Sequence, residues 1–218
     1  MAQRTRGERA GLSVGLVLDA ALAVLDRDGL RAVTMRGVAI ELGVEAMTLY
    51  HYVPNKDALL NGLVDRVLAG ATPSPIGAAT WRDDLRTGAR TLRAALLRHP
   101  GVLPLAVTRP ASTPSTLQVV EQGLGALCEA GFPPARAVDV INAITVFVLG
   151  HTAAEVGTTP VNERSGPGST AHLATLDADR FPLLHRAATT GQGVSDGDRF
   201  TFAVDALLAG FAATLTAG

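Results

Sequence analysis

Cysteine is almost missing from this chain: Cys128 stands alone among 218 residues. That excludes an intramolecular disulfide framework and fits a reducing compartment. Aromatic residues are also scarce, at 4%, although apolar residues reach 47%. Alanine, leucine and valine must therefore build the core, which favours close-packed helices over a sandwich or barrel. An excess of charge of one sign is lacking too. The net charge is −1, and residues 1–70 carry eight basic side chains against eight acidic ones. Only Arg4, Arg6 and Arg9, facing Glu8, form a local surplus. A nucleic-acid function would have to rest on motif geometry, because bulk electrostatics does not supply it. No basic-then-apolar leader opens the sequence, so a cytoplasmic location is expected. The two stretches closest to a membrane span, residues 138–156 and 200–218, contain Asp139, Asn142, His151 and Glu155 in one and Asp205 in the other. Such groups are costly in lipid, so both read as buried helices without a membrane partner.

What the chain does have is helical periodicity nearly throughout, and the expected fold is all-α. Val14, Val17, Leu18, Ala21, Leu22 and Leu25 recur at three- and four-residue steps over residues 13–28. Ser13 is placed to cap this helix and Gly29 to end it in a left-handed conformation. A short helix follows from Thr34 to Leu42, with Val38, Ala39 and Leu42 inward; Gly43 breaks it. A second short helix is expected over residues 45–52, stopped by Pro54. Asn55 caps a fourth, over residues 56–69, whose apolar stripe is Leu59, Leu60, Leu63, Val64, Val67 and Leu68. Residues 70–79, rich in Gly, Pro and Ala, read as a domain boundary. Beyond it, Thr80 and Asp83 are expected to form a capping box for a helix over residues 81–98. Helices are also expected over 113–130, 134–156, 182–188 and 198–217, with a loop at 157–170.

Residues 34–56, TMRGVAIELGVEAMTLYHYVPNK, carry the functional signal. Two short helices joined by a turn at Leu42-Gly43-Val44 are a helix-turn-helix. The turn needs Gly43, because a side chain would disfavour its left-handed backbone. The second helix presents Glu45, Ala46, Met47, Thr48, Tyr50 and His51 outward, as a groove-entering helix does. From spacing alone, such a pair also suits a bundle protein or an enzyme. The wider pattern decides: Ala20-Ala21-Leu22, Gly29, Thr34-Met35-Arg36, Ala39, Leu42-Gly43-Val44, Thr48-Leu49-Tyr50, Asn55-Lys56 and Leu59-Leu60 closely resemble the DNA-binding head of TetR repressors. By that resemblance, Thr34, Arg36, Thr48, Tyr50 and Lys56 touch phosphates or bases. Ala46, Met47, His51 and Tyr52 tune sequence preference, Tyr52 being equally readable as a packed corner.

The resemblance continues more weakly through Trp81-Arg82-Asp83, Leu96-Leu97-Arg98-His99, Thr108-Arg109-Pro110 and Gly131-Phe132, which look like the ligand domain of the tetracycline-responsive subgroup. It implies a head over residues 1–70, a regulatory and dimerisation domain over 71–218, and a homodimer on an inverted-repeat operator in double-stranded DNA, released by a small molecule. Where that subgroup holds drug and metal with His, Asn, Gln and Glu, this chain has Thr72, Gly88, Leu105, Gly123, Val146 and Ala154. A magnesium chelate is therefore not expected, nor any metal or other cofactor. The expected pocket is apolar, drawn from Gly88, Leu92, Leu105, Leu117, Val146, Phe147 and His151, and suits a hydrophobic effector. Residues 134–156 and 198–217 are apolar on nearly every face, so each needs more than one partner. Ile141, Phe147, Val148, Val204, Leu208 and Phe211 are the expected dimer contacts. Nothing pairs a nucleophile with a base, so no catalysis is expected. The rival readings are a regulator of this fold without a small ligand, and a helical enzyme or carrier.

Overall fold

The computed structural model describes residues 11–70, 75–109, 113–157, 170–190 and 195–216, and all regular structure in them is helical. Compactness divides the chain into two units, residues 1–130 and 131–218.

The first unit is built around one central helix. Helix α1 (Val14–Asp28) starts where Ser13 Oγ accepts from Leu16 N–H and ends at Gly29, whose φ is +78°. Both signals were legible in the sequence. After a 3-10 turn (Leu30–Ala32) come α2 (Met35–Glu41), α3 (Ala46–Leu49) and α4 (Lys56–Gly70). Next are α5 (Trp81–Arg98), a 3-10 turn (Pro100–Val102), α6 (Leu103–Thr108) and α7 (Pro114–Glu129). Helix α4 packs on α1, α5, α6 and α7 at once. Its stripe of Leu59, Leu60, Leu63, Val64 and Val67 is buried accordingly. Burying a leucine or valine side chain contributes about 1.5–3 kcal/mol, so this stripe outweighs any surface contact the helix makes. His99 caps α5, and its Nδ1 lies 2.7 Å from Asp26 Oδ2 on α1.

One capping expectation is corrected. Thr80 makes no side-chain cap to α5; its hydroxyl donates to Asp84 Oδ2 at 2.6 Å, and Gly77 N–H donates to the same oxygen. Asp83 instead pairs with Arg86 one turn along. The chain enters α5 through a turn at residues 78–80 and not from an extended residue, so Thr80 lacks the backbone of a capping residue.

The second unit contains α8 (Pro134–Gly157), α9 (Thr170–Ala174), α10 (Pro182–Thr189) and α11 (Asp196–Thr216), with α8 packed on α11 and α9 on α10. Helix α11 begins at Asp196, two residues before the expected start, though Ser195 does accept from Asp198 N–H. Helix α9 was not foreseen. Most of the loop expected at 157–170 lies outside the described residues. Expected burial also needs correction: only 28% of the most apolar window of α8 is buried within one chain, although the helix is long and apolar enough to cross a membrane.

Candidate nucleic-acid interface

The site begins with a turn. Helix α2 opens at Thr34, whose Oγ1 accepts from Gly37 N–H at 2.9 Å. It closes at Gly43, where φ is +65°. Val44 N–H donates to the Ala39 carbonyl and Gly43 N–H to the Ile40 carbonyl, the paired bonds of a Schellman closure. Those bonds satisfy carbonyls that a helix end leaves orphaned, and they fix the direction in which α3 departs.

Helix α3 is only Ala46–Leu49, shorter than the expected 45–52, because Tyr50, His51 and Tyr52 form turns before Pro54. So short a helix has no stability of its own. Leu49, fully buried, anchors it, together with Val38, Ala39 and Val53 in the same core. Around that anchor, Glu45, Met47, Tyr50 and His51 are exposed, Met47 at 73%. Ala46, Thr48 and Tyr52 are half-buried. Tyr52 also lines a cleft of about 420 Å³ with Val14, Leu18, Val53, Asn61 and Asp65. Lys56 opens α4 on the surface, after Asn55 Oδ1 caps that helix through Ala58 N–H. Ile40 was not singled out by sequence, yet it is 71% exposed on α2. Its phase, off the stripe of Val38, Ala39 and Leu42, was the signal that could have found it.

The basic residues here divide into two groups. Arg27 donates to both Glu41 carboxylate oxygens, at 2.8 and 3.3 Å, and to Asp28. The Arg27 hydrogen bonds and charge hold the Glu41 carboxyl below its usual range, and the same contacts raise Arg27. Arg66 is paired with Asp19. These two arginines lock helices together. Among the described residues, Arg36 and Lys56 have no acidic partner and remain available to phosphates.

The expected effector residues fall in both units. In the first, Leu105 is buried, Gly88 and Leu92 are half-buried and Leu117 is exposed. In the second, Val146 is exposed, while Phe147 and His151 join Phe200 in a ring cluster with centroids 5.3–5.6 Å apart. His151 Nε2 lies 3.2 Å from the Asp196 carbonyl, which fixes the ring between α8 and α11. Among the described residues, no three His, Cys, Asp or Glu side chains gather as a metal site. Of the chelate positions compared above, Gly123 is buried, Ala154 is exposed and Thr72 lies outside the described residues.

Three of the expected dimer contacts are already buried by the chain itself. Val148, Val204 and Leu208 are at most 1% exposed within a single chain, so they are core residues. Ile141, Phe147 and Phe211 are half-buried. The outward residues are Val138, Asn142 and Val146 on α8, and Phe202, Ala206 and Ala209 on α11. The sequence showed two apolar helices without showing which apolar face met its own chain.

Residues 17–63 match the family described as bacterial regulatory proteins, tetR family, and residues 72–215 match the tetracyclin repressor-like C-terminal domain. Tetracycline repressor protein class E from Escherichia coli is 33% identical over 209 residues, covering 94% of this chain and 93% of that protein. The HTH-type transcriptional repressor DrrR1 from Streptomyces coeruleorubidus is 30% identical over 215 residues, 94% of this chain and 79% of its own length. Apo ActR from Streptomyces coelicolor superposes with a TM-score of 0.78 at 26% identity, covering 93% of this chain and 95% of that one. ActR has also been solved in complex with actinorhodin, with a TM-score of 0.75, 26% identity and coverage of 94% and 98%. A short helix anchored by one buried leucine, two basic side chains with no acidic partner among the described residues, and family matches over residues 17–63 and 72–215 agree: the chain belongs to the TetR family of DNA-binding transcriptional regulators.

Proposed function

We propose that this regulator represses transcription as a homodimer on an inverted-repeat operator and lets go when a small hydrophobic effector binds its C-terminal half. Ligand-responsive repression follows from the family; the operator symmetry, the dimer and the effector class go beyond it. The observation that carries the reading is the exposed row of Glu45, Met47, Tyr50 and His51 beside Lys56, which has no acidic partner among the described residues. Helix α3 would enter the major groove, while Arg36, Thr48 and Lys56 would hold backbone phosphates and set register. Action on an operator assigns the protein to the cytoplasm, with the chromosome.

Residues 1–70 would read DNA, and 71–218 would respond and dimerise. The relative ActR binds actinorhodin, which supports a small-molecule effector here. The buried Leu105 and half-buried Leu92 favour an apolar ligand over a chelate. An effector of this kind releases DNA only through its higher affinity for the non-binding state.

A mobility-shift titration against the DNA upstream of the protein's own gene tests the reading. Lys56→Ala should weaken all duplexes about equally and flatten the salt slope by about one unit. Met47 substitutions should change base preference, at about 1–3 kcal/mol per disturbed pair. Normal footprinting by a Tyr50→Ala, Lys56→Ala double variant at moderate salt would overturn it.

A further inference from the structure

The cleft beside Tyr52 has no part in the function described so far. Its volume of about 420 Å³ lies inside the range that small molecules occupy. Helix α1 contributes Val14 and Leu18, the link between α3 and α4 contributes Val53 and Pro54, and α4 contributes Ala58 and Gly62. Ala58 and Gly62 stand one turn apart and carry too little side chain to fill the space. A Cβ at Gly62 would lie 2.6 Å from Leu18 Cδ2, so a larger residue there would press on the opposite helix. All of these residues fall in the first unit, and none is among those expected to line the effector pocket.

Three polar side chains meet this apolar lining with hydrogen-bonding capacity to spare. Asp65 accepts from Thr116 through Oδ1 at 2.9 Å, while its Oδ2 is shut from solvent without a partner among the described residues. Asn61 accepts from Arg109, which also holds Asp57, and its amide nitrogen is unengaged among the described residues. The Tyr52 hydroxyl is likewise unengaged among them. Arg66 is the one cation among the lining residues, and both oxygens of Asp19 already hold it. Asp65 is left as the uncompensated charge of the lining. An acceptor deprived of a donor is unfavourable, and an apolar side chain would serve packing better at this place. A carboxylate acts on a charge in such a cleft more strongly than it would in water, even without touching it.

We infer that this cleft is a second small-molecule site, in the first unit alone, for a compact apolar body that ends in an ammonium or amidinium group. The body lies against Val14, Leu18, Val53 and Ala58. The cation is drawn to Asp65, with the Tyr52 hydroxyl and the Asn61 amide beside it. A neutral molecule of the same shape gains only the apolar contact, and an anion faces Asp65 with Arg66 already taken. The occupant is wedged between α1, α4 and the link that follows α3.

The test titrates the full chain, without DNA, with phenethylamine, phenethyl alcohol and phenylacetate, which differ in charge and little in size. Methyl NMR of alanine, leucine and valine reads the outcome. Phenethylamine should shift the Leu18, Val53 and Ala58 methyls saturably and leave those of Val204 and Leu208 in place. Phenethyl alcohol should bind about tenfold more weakly, as the loss of one charged contact implies, and phenylacetate more weakly still. Asp65→Asn keeps the shape and removes the charge, so it should bring the three affinities together. Ala58→Leu fills the hollow and should abolish the shifts for all three. Absence of cleft shifts, shifts confined to the second unit, or phenylacetate binding as tightly as phenethylamine would overturn the inference. So would an undiminished preference for the cation in Asp65→Asn. If that variant does not fold, the wild-type ranking and Ala58→Leu still decide. Because DNA is absent, the result stands apart from the DNA-binding reading.

Discussion

At Gly43 a single residue turns the chain from α2 toward α3. Its φ of +65° is what lets Val44 and Gly43 return their N–H groups to α2, yet nothing lies within 4 Å of where a Cβ would stand. The penalty for Gly43→Ala is then conformational, not steric, and amounts to about 1–2 kcal/mol. Urea unfolding should show that loss, and Gly43→Asn should recover part of it, since Asn visits this region more readily. A second residue-scale expectation concerns Glu41. Arg27 holds its carboxyl below the ordinary glutamate range, so the pair stabilises the fold fully at and above that range. The contribution is lost as the pH falls through the lower, folded value. An NMR titration should give a Glu41 midpoint below the ordinary glutamate range in the wild type and one that rises in Arg27→Ala. An unchanged midpoint in that variant would show that Arg27 is not the cause.

Helices α8 and α11 present the same composition on faces with different fates. Val204 and Phe202 stand two residues apart on α11, one 1% and the other 77% exposed within a single chain. Val204→Asp should therefore unfold the second unit. Phe202→Glu should leave helicity intact and lower the association constant, measured by sedimentation equilibrium. If Phe202→Glu associates like the wild type, α11 does not present that face to a partner. This contrast marks what the sequence could and could not reveal. Caps at Ser13, Thr34, Asn55 and Thr113 were readable, because a short polar side chain before an apolar period has one good use. The ends of α3 were not, since Leu49 ties it to the head by a tertiary contact that no local pattern encodes. Nor was the split between Val204 and Phe202, because both are apolar and only the packed partner tells them apart. Nor were the acceptors of Arg109, which lie 48 and 52 positions away in the sequence.

For the whole molecule, the question is what reaches the DNA-reading face from elsewhere. A chelated drug is not expected to do so, given Leu105, Val146 and Ala154 where the tetracycline-responsive subgroup has polar ligands. Calorimetry with tetracycline and magnesium should register no metal-dependent heat, and tight metal-dependent binding would refute the apolar pocket. The architecture of the head has a different consequence. Met47, Tyr50 and His51 stand outside the core, and Leu49 alone of its four-residue helix is fully buried. Side chains that could choose a DNA sequence thus bear little of the fold's weight, and the one that bears it is shut inside the core. A lineage carrying this head can acquire a new target by single exchanges, none of which passes through an unfolded ancestor.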